Sequence, residues 1–263
     1  MAHFAGESPG VSVILTTCDR PRFLTMALAC FRQQTYPERE LIVVDDGVVH
    51  PADRDEVEMA GGFLVRVDPG TPLGTKLNVG VAAARGPLCQ KMDDDDWYAP
   101  EFLETMVGAV AEHSQTTCRP TIAFLMPFLF FDLARWEVRQ SIPTNAPGAT
   151  LLFAREDWQE RPFRALVRDE DVWFILDQFS IGTSYLPVRR PEVFMAVRHG
   201  GSADRGHTWR NYGVTGLEEY LRDRPLWKGG PESLLPSWAL AVYRGIHDEL
   251  VKRSSPPALI RAG

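Results

Sequence analysis

The chain has 263 residues, 28 Lys plus Arg against 35 Asp plus Glu, and a formal net charge of −7. With 44% hydrophobic and 24% charged residues it has a globular composition, which excludes intrinsic disorder and collagen-like repeats. The acidic balance argues against nonspecific nucleic-acid binding, which needs clustered Lys and Arg, and the length allows one large domain or two small ones.

The first half alternates strand and helix. Val11 to Leu15 is an apolar, β-rich run that predicts a first strand. From Pro21, suited to a first helical turn, Leu24, Ala27, Leu28 and Phe31 recur at helical spacing. Leu41 to Val44 predicts a second strand entering the polar corner Asp45-Asp46-Gly47. Residues 51–60 predict a short polar helix stopped by Gly61-Gly62, and Phe63 to Val67 a third strand. A helix follows over 74–84, with Gly86 where a C-terminal cap belongs. Leu88, Gln90 and Met92 alternate on a fourth strand that runs into Asp93 to Asp96. Pro100 then opens a helix with Leu103, Met106, Val107 and Val110 on its buried face.

The second half is less regular. Ile122 to Phe131 and Ala149 to Ala154 predict strands, with the loop Pro143 to Gly148 between them. Helices are expected from Glu170 to Phe179 and from Pro236 to Lys252. The Gly- and Arg-rich stretch 198–213 has no periodicity and predicts a mobile loop. Residues 8–115 and 116–253 read as two halves of one domain, and 254–263 as a tail.

Cys18, Cys30, Cys89 and Cys118 form no CxxC pair, so neither structural zinc nor a disulfide framework is expected, and the thiols suit a reducing cytoplasm. The N-terminal MAHFAGESPG lacks the basic and apolar regions of a signal peptide. The longest apolar run, Ile122 to Phe131, is too short to span a bilayer and contains Pro127. A soluble cytoplasmic protein with no transmembrane segment is expected.

Apolar strands separated by amphipathic helices predict an α/β fold, a mostly parallel central sheet with helices on both faces. Such sheets bind ligands at the carboxyl ends of their strands. Three polar clusters fall there: Thr16 to Asp19, Asp45-Asp46, and Asp93 to Asp96. Consecutive aspartates raise one another's pKa, a penalty that a divalent cation reverses, and oxygen-only ligation suits Mg²⁺ or Mn²⁺ shared with substrate phosphates. A solvated acidic turn is the bland alternative. Asp45-Asp46 could accept from a nucleobase or ribose or cap a turn, and Asp19 could cap the helix that Pro21 begins. Lys76, near Gly74, is placed for a diphosphate or is merely solvated. Glu170-Asp171 suits a helix start electrostatically, or supplies a general base. His199, in Arg198-His199-Gly200-Gly201, is a candidate metal or phosphate ligand or a solvated loop residue. GxGxxG after the first strand, GxxxxGK[ST], GxSxG and HExxH are all absent, which disfavours dehydrogenase, P-loop, serine-hydrolase and zinc-protease readings.

Together the clusters resemble the family 2 glycosyltransferases of the GT-A (Rossmann-like) fold, over nearly the whole chain. VSVILTTCDRPRFLTMALACFRQQTYPERELIVVDDG resembles the family's first strand, helix and second strand. LGTKLNVGVAAARGPLCQKMDDDDWYAP is similar to its nucleotide-binding helix and DxD motif, and GATLLFAREDWQERPF followed by RDEDVWF to its acceptor-side strand and ED motif. The chain departs from the family's aromatic and Asn after the first strand, with Cys18 and Asp19, and has Lys76 where Arg is common.

The resemblance implies a single GT-A domain with a nucleotide-sugar-binding half followed by an acceptor-binding half. Thr16, Asp19 and Asp46 would hold nucleobase and ribose, and Lys76 the nucleotide. Asp93 and Asp95 would be the outer DxD residues, with Asp95 the direct metal ligand and His199 a further ligand. Asp94 and Asp96 would support ribose or sugar. Asp171 would be the catalytic base of an inverting, Mg²⁺- or Mn²⁺-dependent transfer from a nucleoside-diphosphate sugar, UDP-linked by preference. Expected acceptors are a carbohydrate, a lipid-linked sugar or a small natural product, and a homodimer is compatible with the reading. Trp136, Trp158, Trp173 and Trp209 are candidates for an acceptor groove or for the core. The rival readings are a sugar-nucleotide pyrophosphorylase, whose Gly-rich basic loop Thr16 to Arg22 does not match, and a non-catalytic nucleotide-sugar-binding protein.

Overall fold

The computed structural model describes residues 9–117, 120–143, 148–199 and 217–254. They fall into two compact units, one drawn from Met1–Phe128 and Pro143–Met195, the other from Leu129–Ile142 and Ala196–Gly263.

The first unit opens with β1 (Val11–Thr17), α1 (Pro21–Arg32), β2 (Arg39–Asp45), α2 (Arg54–Met59), β3 (Gly62–Arg66), α3 (Leu73–Ala83) and β4 (Leu88–Asp93). It continues with β5 (Trp97–Tyr98), α4 (Phe102–Ser114) and β6 (Thr121–Leu125). In the second unit lie β7 (Leu129–Asp132) and β8 (Glu137–Gln140). The chain then returns to the first unit for β9 (Leu152–Ala154), α5 (Arg155–Glu160), α6 (Glu170–Ser180) and β10 (Ser184–Val188). Next comes β11 (Phe194–Arg198), whose first two residues belong to the first unit, where they pair with β5. The second unit ends with α7 (Leu217–Leu221) and α8 (Ser237–Ser254).

The first unit holds a seven-stranded sheet in the order β10-β6-β9-β4-β1-β2-β3, in which β9 runs antiparallel and the other ladders are parallel. Every residue of β1 is buried, as a strand covered on both faces requires. The strand order reverses at β1: the chain runs outward through β2 and β3, and α3 carries it back to place β4 on the other flank. Register then aligns Thr16 with Val44 and Asp93, and Thr17 with Asp45. This reversal is the switch point where α/β sheets open a crevice for ligands.

Packing holds the crevice walls. Helix α3 lies so close to the sheet that a Cβ on Gly80 would sit 2.4 Å from Ile14 Cγ2. A Cβ on Gly74 would lie 1.9 Å from the Arg164 carbonyl oxygen. Beneath α6, Phe174 stacks on Phe163 at 4.0 Å and meets Phe153 at 4.9 Å. In the second unit, Phe131 packs edge-on against Trp136 and Tyr243 at 5.1 and 5.5 Å.

Several expectations change. The run Ile122 to Phe131 is not one strand but β6 and β7, broken around Pro127, which cannot donate to a ladder. Ala149 to Ala154 begins as a 3-10 turn over Gly148–Thr150, so only β9 is extended. The polar helix starts at Arg54, because Asp53 caps it by accepting from Asp55 and Glu56 N–H groups. The short elements β5, β8, α5, β10, β11 and α7 carry too few periodic positions to show in sequence. Residues 144–147 of the expected loop, 200–213 of the expected mobile stretch, Cys118 and 255–263 lie outside the described residues. Cys18, Cys30 and Cys89 form no disulfide. Among the described residues no helix is long and apolar enough to cross a membrane.

Alanine is the better helix former, yet Gly80→Ala is expected to lower stability by about 1–3 kcal/mol, because overpacking against Ile14 outweighs the gain. Chemical denaturation should show the loss, and Gly80→Ala combined with Ile14→Ala, which removes Cγ2, should cost less than the sum of the two single changes; a more stable Gly80→Ala protein would contradict the packing.

Candidate active site

All the aspartates expected at the strand ends fall in the first unit, but they divide sharply by what they already touch. At the end of β1, Asp19 has φ +53°, in the left-handed region. That turn aims its Oδ1 away from α1, where it accepts the N–H groups of Val48, Val49 and His50 at 2.9, 2.7 and 2.7 Å. The same bonds, with His50's first, hold its pKa below the usual carboxylate value. Asp19 therefore orders the loop after β2 and does not cap α1, whose N-cap position is Arg20, without a side-chain cap bond. Thr16 is buried one position before Thr17.

Asp45 and Asp46 are neighbours with opposite fates. Asp45 is fully buried, accepting from Gly47 N and Ala52 N at 2.8 Å each and pairing with Arg66. It is a structural residue. Asp46 accepts Lys76 Nζ at 2.7 Å and Gly70 N at 3.2 Å, while Lys76 also donates to the Thr17 carbonyl at 3.2 Å. Lys76 is thus held at the mouth of the crevice by a carboxylate. The Cys18 thiol also bonds Asp46, and burial first, then that bond, raises its pKa.

The aspartate run at the end of β4 is bound by two cations. Arg20 Nη1 donates to Asp94 Oδ1 and Asp95 Oδ2, each at 3.0 Å, and Thr17 Oγ1 donates to Asp94 Oδ2 at 2.7 Å. Burial, then the Asp95 charge, still pushes Asp94 up to about 7 against these partners. Asp96 is buried beside it. Lys91, two residues earlier on the strand and 3% exposed along its side chain, reaches Asp93 Oδ1 at 2.9 Å and Glu170 Oε1 at 3.6 Å. Burial alone would lower the Lys91 pKa, but Asp93, Glu170 and Asp171 reverse that and raise it. Tyr98 braces the corner, accepting from Asp93 N at 2.8 Å and donating to Ala149 O at 3.1 Å.

Helix α6 brings the ED pair to the same place. Glu170 is buried, and desolvation pushes it up to about 7 despite Lys91. Asp171 is part-exposed, and its Oδ1 accepts its neighbour Val172 N at 2.8 Å. Its Oδ2 presses on the 3-10 turn: a Cβ on Gly148 would lie only 1.7 Å away. The backbone of Gly148 therefore forms the floor under Asp171.

The donors at the β4 end are all carboxylate oxygens, which fits a hard cation such as Mg²⁺ or Mn²⁺. Among the described residues no group of three His, Cys, Asp or Glu side chains is arranged to hold a metal. His199 follows β11 in the second unit. Of the candidate tryptophans, Trp158 donates to Asn78 at 2.8 Å, Trp136 belongs to the second unit under Arg244, and Trp173 is 40% exposed on α6 with Arg164 over one face. Trp209 lies outside the described residues.

Sequence reasoning passed over Thr17, Arg20, Lys91 and Gly148. Two of them had a signal: a guanidinium at a helix N-terminus and a lysine inside an apolar strand are both locally unfavourable. Gly148→Ala is expected to displace the Asp171 carboxylate by more than about 1 Å, since it must retreat from 1.7 Å to contact distance. A crystal structure of the variant, with thermal denaturation to confirm folding, checks this; an unmoved carboxylate would contradict it.

Comparison with known proteins bears on the family and the fold. The Glycosyl transferase family 2 profile matches residues 12–164, more than half of the chain. The Bacillus subtilis (strain 168) protein named as glycosyltransferase EpsH is 28% identical over 111 residues, 41% of this chain and 32% of that protein. The chain thus spans about a third of that relative's length. The S. aureus TarS 1-349 structure in complex with UDP-GlcNAc superposes with a TM-score of 0.58 at 19% identity, covering 73% of this chain and 60% of that one. The mannosyltransferase PcManGT from Pyrobaculum calidifontis, in complex with GDP-Man and Mn²⁺, gives 0.57 at 19% identity over 96% of this chain and 78% of that one. At such identity the two structures bear on the fold, which is the GT-A arrangement of a mostly parallel sheet with helices. From the profile match over most of the sheet-forming sequence, the chain belongs to glycosyl transferase family 2.

Proposed function

We propose that the chain is a metal-dependent, inverting glycosyltransferase that moves a sugar from a nucleoside diphosphate, UDP by preference, to an acceptor hydroxyl. The observation that carries this reading is the Lys91 ammonium, within ion-pair reach of both Asp93 and Glu170, which joins the strand-end carboxylates and the ED pair in one site. The UDP preference draws on the TarS complexes with UDP-GlcNAc and UDP, and GDP is the rival because PcManGT holds GDP-Man.

In this reading Thr16 and Asp46 meet nucleobase and ribose, and Asp19 shapes that wall by holding the 48–50 backbone. Lys76, oriented by Asp46, faces the diphosphate. Asp93 and Asp95 would hold Mg²⁺ or Mn²⁺. When bound, the cation supplies Lewis-acid stabilisation of the diphosphate leaving group. Asp96 faces ribose or sugar, and Asp94, with both oxygens already bonded, braces the run.

Asp171 takes the proton of the acceptor hydroxyl as that oxygen bonds to the anomeric carbon from the face opposite the diphosphate. The bond from that carbon to the diphosphate oxygen breaks, and its electron pair leaves with the nucleotide. One displacement inverts the anomeric configuration. Trp173, two residues after Asp171 on α6 and exposed, is the aromatic candidate for an acceptor such as a carbohydrate or the sugar of a lipid-linked acceptor. The cytoplasm, where nucleotide sugars are made, is the proposed location.

Asp171→Asn is expected to lower kcat for sugar transfer by about 10²–10⁴-fold with donor binding unchanged. Unimpaired turnover would contradict the base assignment. EDTA should abolish activity and added Mn²⁺ restore it, whereas full activity in EDTA would contradict metal dependence.

A further inference from the structure

We infer that Lys91 and Arg20 are built-in counter-ions of the cation site: they hold the strand-end carboxylates together without metal, and their charge disfavours metal binding alone, so that metal enters with the diphosphate. The inference rests on the metal-dependent reading above and concerns residues that this reading leaves without a role in chemistry.

Both residues break a local rule. Lys91 lies in the interior of β4, flanked by β1 and β9, where both faces of the strand are buried and apolar side chains are the norm. Its ammonium is almost fully enclosed, a costly position that only its carboxylate partners offset. Arg20 occupies the N-cap position of α1, where the helix dipole favours a carboxylate. Instead its Nη1 points at Asp94 and Asp95. Local violations of this kind gather at functional sites.

Their targets are specific. Lys91 sits on Asp93 Oδ1 and Arg20 on Asp95 Oδ2, so each outer aspartate of the motif has one oxygen engaged by a cation. A divalent cation approaching alone meets carboxylates already part-neutralised and two positive charges beside them. A diphosphate that arrives with the metal brings its own negative charge, cancels that repulsion, and completes the shell with its oxygens. Metal and nucleotide then bind with positive coupling, and the strength of that coupling depends on the two counter-ions. Lys91 and Arg20 are positioning residues in this account.

The test is calorimetric titration of the full chain with Mn²⁺ alone, UDP alone, and Mn²⁺ in saturating UDP, for wild type, Lys91→Met, Lys91→Arg and Arg20→Gln. Wild type should bind Mn²⁺ at least about tenfold more tightly with UDP present than without. Lys91→Met and Arg20→Gln should bind Mn²⁺ alone at least about tenfold more tightly than wild type and lose most of the coupling. Lys91→Arg, which keeps the charge, should retain it. Arg20→Gln alters a part-exposed side chain and decides the matter if Lys91→Met does not fold. Folded charge-removing variants that bind Mn²⁺ alone no better than wild type would overturn the counter-ion role while leaving the transferase reading intact. A wild-type chain that binds no Mn²⁺ with or without UDP or GDP would overturn the metal-dependent reading itself, and this inference with it.

Discussion

Carboxylates taken out of water need cations or hydrogen-bond donors to go in with them, and at one edge of this sheet that requirement shapes nearly everything. Asp45, Asp46, Asp94, Asp95, Asp96 and Glu170 are all buried there. Arg66, Lys76, Arg20 and Lys91 are the cations drawn to them. Each pair recruits a different element: Arg66 from β3, Lys76 from α3, Arg20 from the start of α1, and Lys91 from β4 itself. Removing one partner of such a buried pair leaves an uncompensated charge, which is far costlier than replacing the pair outright. The strand order makes this convergence feasible, because the reversal at β1 sets the ends of β2, β1 and β4 side by side.

Glycine lets the backbone come close enough to finish the site. A Cβ on Gly47 would lie 2.9 Å from Asp45 Oδ1 and 3.0 Å from Asp19 N. Gly148 does the same for Asp171 on the other wall. Both glycines are needed for absence of bulk, since neither has a positive φ. Asp171, the proposed base, and the strand-end carboxylates are thereby fixed by covalent backbone and packed helix, as a preorganised site demands.

Much of this was legible in the sequence because it is local. The apolar runs of β1 and β2, the helical spacing after Pro21, and the acidic residues following each strand are adjacent in the chain. Periodicity and topology rules read them directly. The pairing is not local. Arg20 and Asp94 are separated by 74 positions, and Lys76 and Asp46 by 30. Nothing nearby in sequence distinguishes Asp45, saturated by backbone and Arg66, from Asp46, turned toward Lys76. Leu88, Gln90 and Met92 share one face of β4, which is central and buried on both faces, so Gln90 and Lys91 mark internal contacts that the strand's own sequence does not name. Pro127 was a visible break in the run Ile122 to Phe131; the apolar character of the run masked it.

The central claim is that these strand-end carboxylates and their cations form a site for a nucleoside diphosphate bound with a divalent metal. Thermal denaturation with UDP, GDP, CDP or dTDP, each with and without Mn²⁺, tests it most directly, because a ligand that binds only the folded state raises its stability. At about 100-fold excess over Kd that gain is about 2.7 kcal/mol, on the order of 5–10 °C for a chain of this size. The account predicts a shift of that size for one nucleoside diphosphate, UDP first, and only when Mn²⁺ is present. A Tm that no nucleoside diphosphate moves, with or without Mn²⁺, would contradict it.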